Sequence, residues 1–207
     1  MAVNTTIKAT FPGGTHPPEN KGLTEKCEIQ ARLRHPAKQI SVPLSQHIGA
    51  ACEPVVKKGD ELQTGQKVGD SEAFVSAPVH SSVNGKVKQI AMVSHPVLGR
   101  TPAVIITVDP ENNPVKEPAS GKFSEDFDAS KYSSGEICEA VREAGIVGMG
   151  GAGFPTRVKV CPNPQMPIKT MIINGSECEP FITCDYRIML DWTWQVIAGV
   201  KLARRAS

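Results

Sequence analysis

Gly148-Met149-Gly150-Gly151-Ala152-Gly153-Phe154-Pro155-Thr156 is the stretch whose reading decides what kind of domain ends this chain. Four glycines and an alanine fall within six positions, and Phe-Pro closes the run. Without a Cβ, glycine takes φ > 0 and lets a backbone approach a flat or anionic ligand closely. Successive bare N–H groups then cradle phosphate. Just upstream, Gly135 toward Ala144 reads as a helix, with Ser133 or Ser134 as cap, Ile137, Ala140, Val141 and Ala144 on one face, and Gly145 ending it. Downstream, Met171-Ile172-Ile173-Asn174-Gly175-Ser176-Glu177-Cys178-Glu179-Pro180 is an apolar run emptying into acids. Lys169 to Ile173 predicts a buried strand. Helix, glycine loop and strand together predict the opening unit of a Rossmann-like α/β domain. The loop lacks the Gly-Lys pair of a P-loop, and it does not come straight after a strand as the dinucleotide fingerprint does. Taken alone, a G-x-G-G run is equally well read as a tight interdomain turn.

The region before it is of another kind. Residues 1–39 are irregular and rich in Pro and Gly, an extended wrap against a neighbouring domain. Ile40-Ser41-Val42 opens a β-rich module, 40–109. Within it, Val55 to Gly69 reads as short strands around Gly-Asp and Thr-Gly turns. Gly85 to Ile90 alternates, and Ala103 to Val108 is a continuous apolar strand. That order resembles the flattened barrel of biotinyl and lipoyl carrier domains, a barrel-sandwich hybrid. Such carriers present a modified lysine at a hairpin tip, but Asp70-Ser71-Glu72-Ala73-Phe74-Val75 contains none. The barrel therefore reads as a scaffold. Residues 110–132 form a polar linker, and 133–207 begin the α/β domain. The fold class is α+β and multidomain.

With 23 basic and 21 acidic residues among 207, the net charge of +2 carries no polyanion-binding signature, so nucleic acid is not an expected partner. No apolar run approaches the roughly 18 residues that span a bilayer. The N-terminus, with Lys8 and no apolar core behind it, does not read as a signal peptide. The six cysteines (Cys27, Cys52, Cys138, Cys161, Cys178, Cys184) include no C-x-x-C. No cysteine set is therefore assigned to a metal or cluster; Cys178 and Cys184 merit notice only because they flank the acidic tip. His16, His35, His47, His80 and His95 show no H-x-H or H-x-x-x-H pairing and read as loop histidines satisfied by backbone.

Two resemblances sharpen this reading. The run G-x-G-G-A-G-F-P-T, then Lys159, then N-G-S-E-C-E-P, resembles the flavin mononucleotide (FMN) site of the NADH-oxidising subunit of respiratory complex I. Phe11-Pro12-Gly13-Gly14-Thr15-His16-Pro17-Pro18, Val42 to Gly49, and Ser76-Ala77-Pro78-Val79-His80-Ser81-Ser82-Val83-Asn84-Gly85 are similar to the C-subunit of the Rnf ferredoxin–NAD oxidoreductase. The likeness runs from about Phe11 to the C-terminus.

It implies that Gly148, Gly150, Gly151 and Gly153 line the flavin and that Lys159 reaches its phosphate or ribityl chain. Asn174 and Ser176 would bond the ribityl chain, and Glu177 would sit near the isoalloxazine. Phe154 would stack on the adenine of NADH and Glu179 would meet the nicotinamide ribose. Ser176 departs from the complex I pattern, which has an aspartate there. The implied activity is hydride transfer between NAD(H) and FMN. Electrons would pass through iron–sulfur centres toward ferredoxin, coupled to ion pumping by membrane partners. No catalytic acid or base is implied. The implied location is cytoplasmic, peripheral on the inner face of the cell membrane.

In that family two four-iron (4Fe-4S) clusters lie on C-x-x-C-x-x-C-x-x-x-C-P runs. This chain has neither, so clusters are expected only beyond Ser207. Asp185 to Ala206 reads as one amphipathic helix running into the chain end. The chain is thus expected to be the N-terminal part of such a subunit, inactive alone and binding FMN weakly or not at all. A corrinoid-reducing flavoprotein relative, or a structural subunit with an empty nucleotide site, are the alternatives.

Overall fold

The computed structural model describes residues 17–29, 37–112, 123–149, 151–161, 165 and 168–207. They divide into two compact units, one combining Met1–Ile29 with Asn174–Thr193 and the other Gln30–Ile173 with Trp194–Ser207. The motif Phe11 to His16, Gly150 and His35 lie outside the described residues.

The larger unit is built on a small barrel of β1 (Gln39–Pro43), β2 (Glu53–Pro54), β3 (Glu61–Leu62), β4 (Lys67–Asp70), β5 (Val79–His80), β6 (Gly85–His95) and β7 (Gly99–Val108). The strands form a sheet in the order β1-β7-β6-β3 and a second in the order β2-β4-β5. All pairings are antiparallel. β6 and β7 make a long hairpin from Gly85 opposite Val108 to His95 opposite Gly99, with the register shifting between Val87 and Gln89. The extra residue bends the ribbon and raises its twist, as a bulge does.

The core holds Val42, Leu44, Val68, Val87, Val104 and Ile106, all nearly inaccessible. Ala103, Val104, Ile105 and Ile106 are buried in succession, so β7 is covered on both faces and reads as an unbroken apolar run. Each such aliphatic side chain contributes about 1.5–3 kcal/mol on burial. Gly59 (φ 97) and Gly65 (φ 85) sit at the Gly-Asp and Thr-Gly turns.

α1 (Ser134–Glu143) begins at Ser133, whose hydroxyl accepts the Glu136 N–H while the Glu136 carboxylate accepts the Ser133 N–H at 2.8 Å. This reciprocal cap satisfies two orphan donors at once. The helix ends as expected at Gly145, φ 63. There the Gly145 N–H bonds to Arg142 O at 2.8 Å and the Ile146 N–H to Val141 O at 3.2 Å, a Schellman closure. A Cβ on Gly145 would lie 2.3 Å from Pro78 O, so this glycine also lets the helix end press onto the barrel. α2 (Thr156–Val160) follows Pro155. A second core gathers Ile137, Cys138, Val160 and Ala206, with Val141, Cys161 and Leu202 packed against it.

Two expectations fail. Lys169 to Ile173 forms no strand, and Ile172 and Ile173 are 85% and 55% exposed. A strand needs a neighbouring ladder for its amides, and among the described residues none forms there. The single helix expected over Asp185–Ala206 is instead α3 (Cys184–Asp191) and α4 (Thr193–Ala206). Trp192 leaves helical geometry at φ −125, ψ 38. The Thr193 hydroxyl takes up Met189 O at 2.7 Å and Leu190 O at 3.0 Å, carbonyls at the end of the preceding helix.

Candidate functional site

The glycine loop is pinched at its base. Val147 bridges Pro155 in antiparallel fashion, the Gly148 N–H donates to Phe154 O at 2.9 Å, and the Thr156 N–H donates to Ile146 O at 2.9 Å. Met149, Gly151 and Ala152, between these ties, are exposed. The loop between β1 and β2 holds the turn from the barrel side, with the Ile48 N–H 3.2 Å from Ala152 O and 3.4 Å from Gly153 O. Gly153 has φ 61, and a Cβ there would stand 3.0 Å from Gln46 O and 3.1 Å from His47 Cα. This position needs glycine for conformation and for contact. Gly151 is the opposite case: exposed, with nothing within 4 Å of where its Cβ would be. Its backbone faces free space.

Lys159 is exposed on α2. Its Nζ stands 5.5 Å from the Phe154 ring centroid and 3.8 Å from the Cβ position of Gly148. A cation over a ring at that range is attracted by the ring quadrupole. One ammonium thus lies beside both the aromatic ring and the start of the glycine run. A cleft of about 640 Å³ opens between the loop and the barrel, lined on the barrel side by Gln46, His47, Ile48, His95, Val97 and Leu98. Those barrel residues were not singled out as site residues from the sequence. The Val42-to-Gly49 motif contains Gln46, His47 and Ile48 but carried no role, and no motif reached His95, Val97 or Leu98.

The acidic tip lies in the other unit. Asn174 Oδ1 accepts the Ser176 N–H at 2.9 Å and folds the tip as an Asx turn. Ser176 and Glu179 are exposed, and Glu177 is half-buried. The Glu177 carboxylate accepts the Asp185 N–H at 3.0 Å, the Tyr186 N–H at 3.2 Å and the Cys184 thiol at 3.2 Å. It therefore caps α3, where a negative charge also meets the positive end of the helix dipole. Burial works to raise the Glu177 carboxyl, but these donors and Lys21 outweigh it and hold it below the usual range. The Lys21 ammonium donates to Glu177 O at 2.8 Å. The same cap explains why donor atoms of Glu177, Cys184 and Asp185 lie within 4.8 Å of one another. Cys178 is exposed.

Of the described histidines, His47 is the one in a loop with backbone partners, while His80 lies in β5 and His95 closes β6. The His47 ring nitrogens lie 3.1 Å from Ile48 O and 2.9 Å from Ala77 O, and Cys52 Sγ donates to Ala77 O at 3.2 Å. The carrier-type lysine is absent from the β4–β5 connection. The nearest, Lys67, is held by Asp70 and Glu143 at 2.7 Å each. All six cysteines are free thiols. Cys161 is pushed up to about 11 by burial and then by the adjacent Cys138 thiol, so it stays protonated and inert at neutral pH.

Comparison with known proteins adds two domain matches. Residues 9–111 match the RnfC barrel sandwich hybrid domain. Residues 141–207 match the Nuo51 FMN-binding domain. The chain is 41% identical over 194 residues to the C-subunit of the proton-translocating ferredoxin:NAD(+) oxidoreductase complex of Clostridium ljungdahlii, covering 93% of this chain and 41% of that protein. It is 40% identical over 203 residues to the C-subunit of the Na(+)-translocating ferredoxin:NAD(+) oxidoreductase complex of Acetobacterium woodii, covering 95% and 43%. The C-subunit of the ion-translocating oxidoreductase complex of Rhodobacter capsulatus is 37% identical over 194 residues, covering 94% and 36%. The chain spans about two fifths of the length of these curated relatives.

Proposed function

We propose, from the premise that this chain belongs to the RnfC family, the C-subunits of Rnf-type complexes, that its glycine loop holds the FMN of an NADH-linked oxidoreductase subunit. The observation that carries the reading is the pinched loop itself. Above its pinched base Gly151 is exposed with open space at its Cβ position, and Lys159 supplies a cation next to the run. A bare backbone turn beside an ammonium suits a flat ring bearing a phosphate. The FMN-binding domain match over residues 141–207 supports the same assignment.

In this reading Gly148, Gly150, Gly151 and Gly153 bear on the flavin, and Lys159 neutralises its phosphate or holds the ribityl chain. Asn174 and Ser176 bond the ribityl hydroxyls, Glu177 sits near the ring, and Phe154 and Glu179 receive NADH. Bound FMN supplies two-electron acceptance from NADH and one-electron release, the chemistry that joins a hydride donor to one-electron carriers. The protein's part is position and electrostatics, so no side chain need move a proton.

We propose further that the electrons pass to four-iron centres carried elsewhere in the complex, since the cysteines here have no cluster spacing. Ferredoxin, ion-translocating subunits and a peripheral place on the inner membrane face complete the proposal. Among the described residues, no helix is long and apolar enough to cross a membrane.

The test is Gly151→Val in the complex isolated from its own cells. Gly151 is exposed, with nothing within 4 Å of an added Cβ and no positive φ to strain, so folding and the melting temperature should hold. FMN affinity should fall at least about tenfold, the scale of one blocked contact worth about 1.4 kcal/mol. Normal flavin content in that variant would remove the loop from the cofactor site.

A further inference from the structure

The cleft has a second wall that the glycine motif does not announce. It comes from the barrel, at the tip of the β6–β7 hairpin and in the β1–β2 loop. Val97 and Leu98 at the tip are 84% and 55% exposed, and Ile48 and Met149 are 49% and 92% exposed around the same opening. Large aliphatic side chains gathered at one mouth and left in water mark a surface that a ligand or partner covers. Within the tip, His95 Nδ1 accepts the N–H of Val97 at 3.2 Å and the N–H of Leu98 at 3.1 Å. A ring nitrogen that accepts two hydrogen bonds carries no proton, so the imidazole proton sits on Nε2. Nε2 is then a fixed donor on a side chain that lines the cleft. A volume of about 640 Å³ lies in the range that takes a cofactor-sized molecule.

We propose that the β6–β7 hairpin is the opposing wall of the flavin site. The planar ring lies between the glycine loop and the apolar tip of Ile48, Val97 and Leu98, and His95 Nε2–H donates to a ring carbonyl. The proposal rests on the FMN reading and adds His95 and the hairpin tip as positioning residues. It also gives the barrel a part in the site: β6 and β7 are the barrel's longest strands, and their extension carries the tip to the glycine loop.

The experiment is a titration of the 207-residue chain with FMN to millimolar concentration, followed by amide and imidazole NMR shifts, so that weak binding is still read. Shifts at Ile48, Val97, Leu98 and the His95 ring, together with Gly148 to Gly153, are expected. Shifts confined to the glycine loop would overturn the second wall while leaving the FMN reading intact. No shift in either place, together with no loss of flavin from the intact subunit in Leu98→Asp or Gly151→Val, would overturn both. Leu98→Asp should weaken binding at least about tenfold by setting a negative charge against an anionic ligand, with an unchanged melting temperature. Met92→Asp, on the same hairpin but away from the cleft, should bind as the parent does. His95→Gln, which can still accept from the turn and donate outward, should stay within about threefold of the parent, whereas His95→Phe should lose about tenfold. Parent-like binding by both Leu98→Asp and His95→Phe would overturn the proposal.

Discussion

At Glu177 two demands meet on one carboxylate. The family resemblance assigns it to the flavin ring, while the structure commits its oxygens to the first turn of α3. Because its folded value is depressed, the stability it contributes is present above the unfolded carboxyl value of about 4.3 and is lost as pH falls through the folded one. Hydrogen-exchange protection of the Asp185 and Tyr186 amides should therefore drop in acid and in Glu177→Ala at neutral pH, and less in Glu177→Gln. Protection that ignores both changes would release the residue from the cap. In the proposed site Asn174 serves the ribityl chain and Glu179 the nicotinamide ribose, so their losses should differ. Asn174→Ala should deplete bound flavin in the intact subunit, a lost partner costing about 1–3 kcal/mol. Glu179→Ala should keep flavin and raise the KM for NADH roughly tenfold. Flavin assay and NADH-dependent dye reduction read the two, and equal flavin loss in both would mean that the tip only supports the fold.

Among the elements, α1 decides where the glycine loop begins, and two devices seat it on the barrel. The first is the close approach at Gly145. Gly145→Ala meets both a left-handed backbone and a carbonyl at 2.3 Å, and should cost more than about 2 kcal/mol in denaturant melts. The second is a charge network: Arg142 to Asp70 at 2.9 Å, Lys67 to Asp70 and to Glu143 at 2.7 Å each, with Arg142 also on Glu143. Burial would lift the Asp70 carboxyl, but Lys67, the Ser71 N–H and Arg142 overcome it and lower it. Lys67 first, then Arg142, lowers Glu143 as well. With both carboxyls depressed, this seating holds above pH about 4 and weakens as pH falls further. Asp70→Asn should lower stability by about 2 kcal/mol at neutral pH and flatten the acid side of the stability profile. Thermal melts across that pH range read both effects, and a parental profile would show the network to be ornamental.

For the whole molecule, a carrier-type barrel without a carrier lysine makes a plain statement about modification. Mass spectrometry of the chain from its own host should show neither biotin nor lipoyl mass. An adduct on Lys67 would require breaking its ties to Asp70 and Glu143, and one on Lys86 would come from an exposed lysine paired with Glu61 at 3.3 Å. Either adduct would return the barrel to the swinging-arm class.

The barrel's short strands and turns, the capped start and glycine stop of α1, and the glycine loop were legible in the chain because each is local. Alternation, a Ser133–Glu136 box and a bare-backbone run act within a few residues. Two things depended on distant neighbours, whereas the break at Trp192, where the Thr193 hydroxyl captures the Met189 and Leu190 carbonyls, is local and was simply masked by the apolar periodicity. Lys169 to Ile173 has strand composition but finds no ladder. The Ile48 and His95 side of the cleft exists only because the barrel folds its loops onto a glycine run far along the chain. The sequence by itself determined which segments could hold a flat anionic cofactor, since backbone freedom and charge belong to residue type. Which segments wall the cleft beside the glycine loop was decided by the tertiary structure alone, because contact between segments far apart in sequence is a property of packing and leaves no periodic trace in either segment.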